Sequence, residues 1–267
     1  MRLASNLPIP ELPSFAPLAD EDEQAMRGKI LDSLRADPER YLRRYVKKFG
    51  NVLNADDAAT LFKEYNRDRA KYRVAVHPAA TWIRDELFRR AIEVKAPEGR
   101  NRVAFTAGSN AAGKSTAIAF TNESSRAQAI FDSTLSNRKH ASRMVHQALA
   151  AEKCVTVLYI NRPLADAFHG MLDRAERQGR VVTIEQMVNS HRGAADTVRF
   201  LWKTYHGDPH FEFRFIDNAI GGPRLGTIDL ASPEDYTETR RNLHELLDAE
   251  YEAGDIAEEI YQRIGGR

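Results

Sequence analysis

The sequence predicts an α/β protein: a parallel sheet flanked by helices, preceded by a small all-helical N-terminal region. Three observations carry this. From residue 102 onward, short apolar runs alternate with segments of helical period. One of those runs, "RVAFTA", passes directly into the glycine-bounded loop "GSNAAGKST" and then into a helical pattern. Ahead of both lie three short apolar stripes at helical spacing with polar backs.

The chain opens on a leader with prolines at 8, 10, 13 and 17, which interrupt any apolar signal core and favour extended backbone. This leader is either a loose tail or a strap laid on the body. Met26, Ile30, Leu31 and Leu34 form the first stripe. Asp37 is then placed as an N-cap with Pro38 at the first helical position, and Tyr41, Leu42, Tyr45, Val46 and Phe49 form the second. The third uses Ala58, Leu61, Phe62 and Tyr65, with lysines and arginines opposite. Helices this short are unstable alone in water, so they pack as a small bundle or against the rest of the chain. This divides the chain into a three-helix domain with its leader at 1–77 and a larger α/β domain at 78–267.

The larger part begins with Ile83, Leu87, Ala91 and Ile92 on a helix that "APEGRN" ends. Strand and helix then alternate: "RVAFTA", a helix from Gly113, "AQAIFD", a helix through Met144, Val145, Ala148 and Leu149, then "CVTVLYI". A further helix carries Leu164, Ala167, Phe168, Met171, Leu172 and Ala175 on one face. "HFEFRFID" alternates Phe211, Phe213 and Phe215 with Glu212 and Arg214, the pattern of an edge strand. Composition bounds the rest. With 42% hydrophobic and 29% charged residues and a net charge of +1, the chain reads as soluble and lacks the electrostatic footprint of a nucleic-acid or membrane binder. The single cysteine, Cys154, lies in an apolar run, so no disulfide framework is possible and a reduced, cytoplasmic setting is expected.

The chemistry centres on Gly108, Ser109, Asn110, Ala111, Ala112, Gly113, Lys114 and Ser115, which fit G-x-x-x-x-G-K-[ST] with a strand before and a helix after; Thr116 follows. The glycines let successive amides turn inward toward phosphate oxygens, and the helix start adds partial positive charge. Lys114 then reaches the β and γ phosphates of ATP while the Ser115 hydroxyl ligates Mg²⁺. No N-K-x-D motif marks a GTPase, and "CVTVLYIN" ends in Asn161 rather than the acids of a motor ATPase. The apolar strand that ends in an acid is "AIFD". Asp132 can therefore hold Mg²⁺ through water, accept a proton from an attacking hydroxyl, or merely cap the next turn. Thr134, Ser136 and Asn137 can bond a hydroxylated substrate or cap the following helix. A kinase also needs cations that close over the transferred group. Arg174 and Arg180 are the candidates in "MLDRAERQGRVVT"; Arg177 lies opposite, and Arg192 is a further, more distant one.

Together "FTAGSNAAGKST", "IFDSTLSN" and "DRAERQGRVVT" resemble the zeta toxins, P-loop kinases that phosphorylate UDP-N-acetylglucosamine and so starve cell-wall synthesis. The resemblance covers roughly residues 80 to 220. It implies a P-loop kinase-like sheet. Lys114 and Ser115 would serve ATP and Mg²⁺, Asp132 and Thr134 would stand where the family grips its sugar nucleotide, and Arg174 and Arg180 would clamp phosphate. One departure stands out. The family usually has a second strand soon after the phosphate-loop helix, carrying the general-base aspartate, whereas here only "TNESSRAQ" separates that helix from "AIFD". Either Asp132 takes the base role, or Glu123 does, or the substrate differs; a strand end positions a side chain better than a loop, which favours Asp132. The resemblance also implies that residues 1–77 are an antitoxin-like domain fused in cis, as in the single-chain, EzeT-like form of the family; that they simply complete the fold is the alternative. Other small-molecule or polynucleotide kinases, and a non-catalytic nucleotide-gated module, are the competing functions.

Overall fold

Two aspartates start the first helices. The Asp20 carboxylate accepts from the Glu23 amide at the head of α1 (Glu21–Ala36), and Asp37 accepts from the Arg40 amide at the head of α2 (Pro38–Phe49), with Pro38 in the first turn. This is seen in a computed structural model that describes residues 1–4, 7–96, 101–179, 181–219, 222–226 and 236–266. The chain continues through β1 (Val52–Asn54), α3 (Ala55–Ala59), α4 (Lys63–Arg67), α5 (Arg73–Ile92), β2 (Arg102–Ala107), α6 (Lys114–Phe120), α7 (Glu123–Arg126) and β3 (Ala129–Asp132). It ends with α8 (Arg138–Ala150), β4 (Cys154–Asn161), α9 (Leu164–Gln178), α10 (Ile184–Tyr205), β5 (Phe211–Asp217), β6 (Arg224–Gly226), α11 (Tyr236–Glu252) and α12 (Glu258–Ile264).

The strands hydrogen-bond in the order β1-β3-β2-β4-β5-β6, and the pairs β1–β3 and β4–β5 are parallel while β5–β6 is antiparallel. The chain divides into two compact units, Met1–Ala104 with Glu123–Asp132, and Phe105–Asn122 with Ser133–Arg267, so that β2 is shared between them.

In the first unit, residues 52–54, which lie between the second and third apolar stripes, form a strand rather than a linker. Val52, Leu53 and Asn54 pair with Ile130, Phe131 and Asp132. Leu53 and all four residues of β3 are buried. The third stripe is divided between α3 and α4, and Phe62 from it stacks on Tyr41 with ring centroids 4.7 Å apart. Helix α5 starts at Arg73, ahead of Ile83. Pro78 lies inside it and removes one backbone bond, which makes the sequence pattern look as if it restarts there. From α5, Phe88 meets Phe131 edge-on at 5.2 Å and the Arg84 guanidinium lies 4.4 Å from the same ring. The buried Tyr45 hydroxyl donates to the Val52 carbonyl at 2.8 Å and accepts from the Asn54 amide at 2.7 Å. Burial, with the charges of Asp57 and Asp132 adding to it, pushes this phenol well above its ordinary range, so it keeps the proton it donates.

The leader is a strap. Ala4 donates to the Arg90 carbonyl, Arg89 reaches the Pro8 carbonyl at 2.9 Å, and Arg27 reaches that of Ala16 at 2.6 Å. Beneath it Glu86, fully buried on its side chain, accepts from both Arg89 and Arg90, and Arg90 also pairs with Glu39 at 2.6 Å. This is a buried charge with its partners in place.

In the second unit the predicted stripe of α9 packs with Met187 and Val188 of α10, Leu243 and Leu247 of α11, and Tyr261 and Ile264 of α12. Ala112, Ala117, Leu158, Ile160 and Ile216 form a smaller cluster. Strand β5 is not at the edge, because β6 pairs with its free side. Its alternation reflects one face lined by rings, with Tyr205, Trp202 and Tyr159 next to Phe211, Phe213 and Phe215. Cys154 is half-buried at the start of β4. Among the described residues no helix is long and apolar enough to cross a membrane.

If β1 is built into the sheet, Leu53→Ala leaves a cavity beside β3. Urea denaturation is expected to show a loss of about 3 kcal/mol in unfolding free energy; a loss below about 0.5 kcal/mol, typical of surface changes, would mean that β1 is not packed.

Candidate functional site

The loop that follows β2 is shaped by three residues in positive φ. Gly108 has φ 144, Ala111 φ 57 and Gly113 φ 86. A Cβ at Gly108 would stand 2.5 Å from the Ile160 carbonyl oxygen, and one at Gly113 would collide with the Asn218 side-chain nitrogen. Gly108 therefore needs glycine for conformation and for space, and Gly113 for conformation. At the end of the loop α6 begins, its first intrahelical bond running from the Ala117 amide to the Gly113 carbonyl. The amides of Lys114, Ser115 and Thr116 have no acceptor before them in that helix. Lys114 Nζ donates to the Ser109 carbonyl at 2.9 Å and lies 3.5 Å from that of Gly108, so the cation is folded over its own loop.

Long-range contacts within the second unit hold the loop open. The Gly108 amide bonds the Thr134 carbonyl at 3.2 Å, and Asn110 bonds the Ser190 hydroxyl through its amide at 3.2 Å and its side chain at 3.0 Å. Arg162 donates to the Ala111 carbonyl at 3.3 Å, and Asn218 to that of Ala112 at 2.8 Å. Ser109 Oγ is the exception: it is buried and has no hydrogen-bond partner. An unpartnered hydroxyl inside a glycine-shaped loop, together with a lysine resting on carbonyls, suits a phosphate that would supply the missing acceptor. The Ser115 hydroxyl is exposed at the helix start, where a hard cation bound mainly by phosphate and water oxygens needs only one protein ligand. No group of three or more His, Cys, Asp or Glu among the described residues could hold a metal by itself.

The other sequence candidates fall in different places. Thr134 belongs to this loop neighbourhood; its hydroxyl is 2.9 Å from that of Ser136. Asn137 caps α8, accepting from the His140 amide at 3.0 Å. Arg174 is half-buried on α9, and its carbonyl accepts from Gly179, the left-handed cap of that helix. Arg180 lies outside the described residues. Arg177 pairs with Asp173 at 2.6 Å, and Arg192 is 3.7 Å from Asp196.

Asp132 is the last residue of the first unit. It is 5% exposed and accepts from the Asn54 side-chain amide at 2.6 Å. Glu123 is fully buried and 3.9 Å from Arg102, an ion pair at the head of α7 rather than a base poised at a strand end.

Sequence reading missed Ser190, Arg162 and Asn218. Ser190 had a legible precursor, since Thr183 and Gln186 form a capping box that starts α10. Helix α10 also approaches the 134–137 turn at Gly193, where a Cβ would stand 2.5 Å from the Ser136 carbonyl oxygen.

The site is therefore of the P-loop class, a glycine loop between a buried strand and a helix with a lysine at the helix head. Residues 123–210 match the family model described as Zeta toxin. The match is less than half of the chain; it includes Asp132, Thr134, Asn137, Arg174 and Arg180 and begins after the phosphate loop. No curated protein matches the chain. Three solved structures, each 14% identical and covering 97% of this chain, are similar to it. They are crystal structures of AvrRxo1-ORF1:AvrRxo1-ORF2 with sulphate ions (TM-score 0.46, 93% of that chain), with ATP (0.45, 93%) and as the native complex (0.44, 92%).

The loop geometry predicts that Gly108→Ala loses about 2 kcal/mol of stability through backbone strain and weakens ATP binding, as read by denaturation and titration calorimetry. Gly207→Ala, where an added Cβ meets nothing within 4 Å, is the control and should stay within about 0.5 kcal/mol of the parent. Equal behaviour of the two variants would remove the steric argument.

Proposed function

We propose that the protein is an ATP-dependent phosphotransferase acting on a hydroxyl of a nucleotide sugar, UDP-N-acetylglucosamine, in the manner of the zeta toxins it resembles. The observation that carries the reading is the loop from Gly108 to Thr116, with its orphan Ser109 hydroxyl and with Lys114 folded over the loop's own carbonyls.

ATP supplies the phosphoryl group. The loop amides and Lys114 bind its phosphates, and Ser115 contributes one ligand to Mg²⁺. The acceptor hydroxyl oxygen forms a bond to the γ-phosphorus while the bond from that phosphorus to the β–γ bridging oxygen breaks, and ADP leaves with the bridging oxygen. The hydroxyl proton passes to the Asp132 carboxylate and from there to water. Arg174 and Arg180 offset charge on the transferring group, and Thr134 and Asn137 bond the acceptor.

Residues 78–267 carry the transfer chemistry in this reading, in a cytoplasmic setting. For residues 1–77, restraint in cis and completion of the fold are both open, and the pairing of β1 with β3 favours completion.

Transfer of labelled γ-phosphate to UDP-N-acetylglucosamine by the intact chain tests the proposal. Lys114→Ala is expected to lower kcat at least about 100-fold, the order seen when a transition-state charge partner is lost. Tight ATP binding with no transfer to any sugar nucleotide would instead support a nucleotide-gated binding module.

A further inference from the structure

The short connection "TNESSRAQ" leaves no room for another strand between α6 and β3, yet β3 has a parallel neighbour on the side away from β2. That neighbour is β1, delivered from residues 52–54. Its last residue, Asn54, lies in register with Asp132. Each hydrogen-bonding end of the Asn54 side chain has a distinct task. Oδ1 accepts from the Asp56 amide at 2.7 Å and caps α3, while Nδ2 donates to Asp132 Oδ2 at 2.6 Å. An amide N–H can only donate, so the cap dictates which end of the side chain is oxygen and turns the nitrogen toward Asp132. The backbone of Asn54 is fixed as well, because its N–H donates to the buried Tyr45 hydroxyl. The carboxylate of Asp132 is thus gripped by a residue that is itself held at two points, its side-chain oxygen and its backbone N–H.

We propose that Asn54 is a positioning residue for Asp132, within the first unit. This rests on the function proposed above, in which Asp132 accepts the proton. Asn54 does not touch substrate. It selects the rotamer of a 5%-exposed carboxylate through the bond to Oδ2.

The discriminating variant is Asn54→Ser. Serine is an equally good N-cap and keeps the start of α3, but it is too short to reach Asp132. The intact chain is assayed with labelled ATP, with UDP-N-acetylglucosamine and with water alone as acceptor. Asn54→Ser is expected to stay folded with its midpoint lowered by a few degrees, to keep KM for ATP within about twofold, and to lose at least about tenfold in kcat. Asp132→Asn loses more, and adding Asn54→Ser to it costs no further kcat, because the amide then has no carboxylate to orient. A second readout is independent of turnover. In nuclear magnetic resonance spectra of the unliganded chain, one Nδ2 proton of Asn54 should lie well downfield of exposed side-chain amides and move upfield in Asp132→Asn.

If Asn54→Ser keeps kcat within twofold while Asp132→Asn is inactive, Asn54 is only a cap; this inference fails and the proposed function stands. An Asn54 amide resonance indistinguishable from exposed ones also overturns the inference. If Asp132→Asn matches the parent, or the parent turns over neither acceptor, the proposed function fails and the inference with it.

Discussion

Strand β3 has to be covered on the side away from β2, and much of the first unit follows from that requirement. The strand is four residues long and buried throughout, and the segment before it holds only α7 and a tight turn. Its own neighbourhood in the chain offers no second partner. The N-terminal segment provides one, with β1 entering in parallel register, Leu53 filling the space beside Phe131, and the Asn51 carbonyl accepting from the Ile130 amide. Once β1 is in place, Tyr45 of α2 is fixed by its bonds to Val52 and Asn54, and α5 can lay Phe88 and Arg84 against Phe131. The leader strap in turn ties onto α5 through Arg89 and Arg90.

The glycine loop of the second unit is organised by a different constraint. A loop that presents amides to an anion must hold its carbonyls away from that anion, and a carbonyl turned inward without a donor is costly. Here the outward carbonyls of Ala111 and Ala112 are taken by Arg162 and Asn218, which follow β4 and β5 directly in the chain. Asn110 is anchored on Ser190 of α10. Positioning of this kind comes from strand ends and a packed helix, elements more rigid than the loop they support.

Much of this was legible in the sequence, and what was not shares a physical cause. The caps at Asp37 and the stripe of α9 depend on residues within a few positions of one another, as does the glycine loop, and local patterns report local forces. Strand β1 has three residues and a single fully buried side chain, too short for any period to show. Strand β6 reads Arg-Leu-Gly, with all three residues exposed. The contacts that place the candidate residues span 78 positions from Asn54 to Asp132, 80 from Asn110 to Ser190 and 106 from Ala112 to Asn218. Asn54, shortly before two aspartates, has the local look of a helix cap. It is that cap, and the second end of the same amide is what the pattern could not show.

The central claim is that the N-terminal segment and β3 form one cooperative structure. Amide hydrogen exchange on the intact chain tests it through Ile130, whose N–H lies on β3 but is held by Asn51, and Gln128, whose N–H is held by Arg102. If β1 is integral, Ile130 and Gln128 exchange with opening free energies that agree within about 1 kcal/mol, because both wait for the same unfolding event. Exchange of Ile130 and Asn54 several kcal/mol more easily than Gln128 would show β1 leaving while β3 stays folded, and would contradict the account.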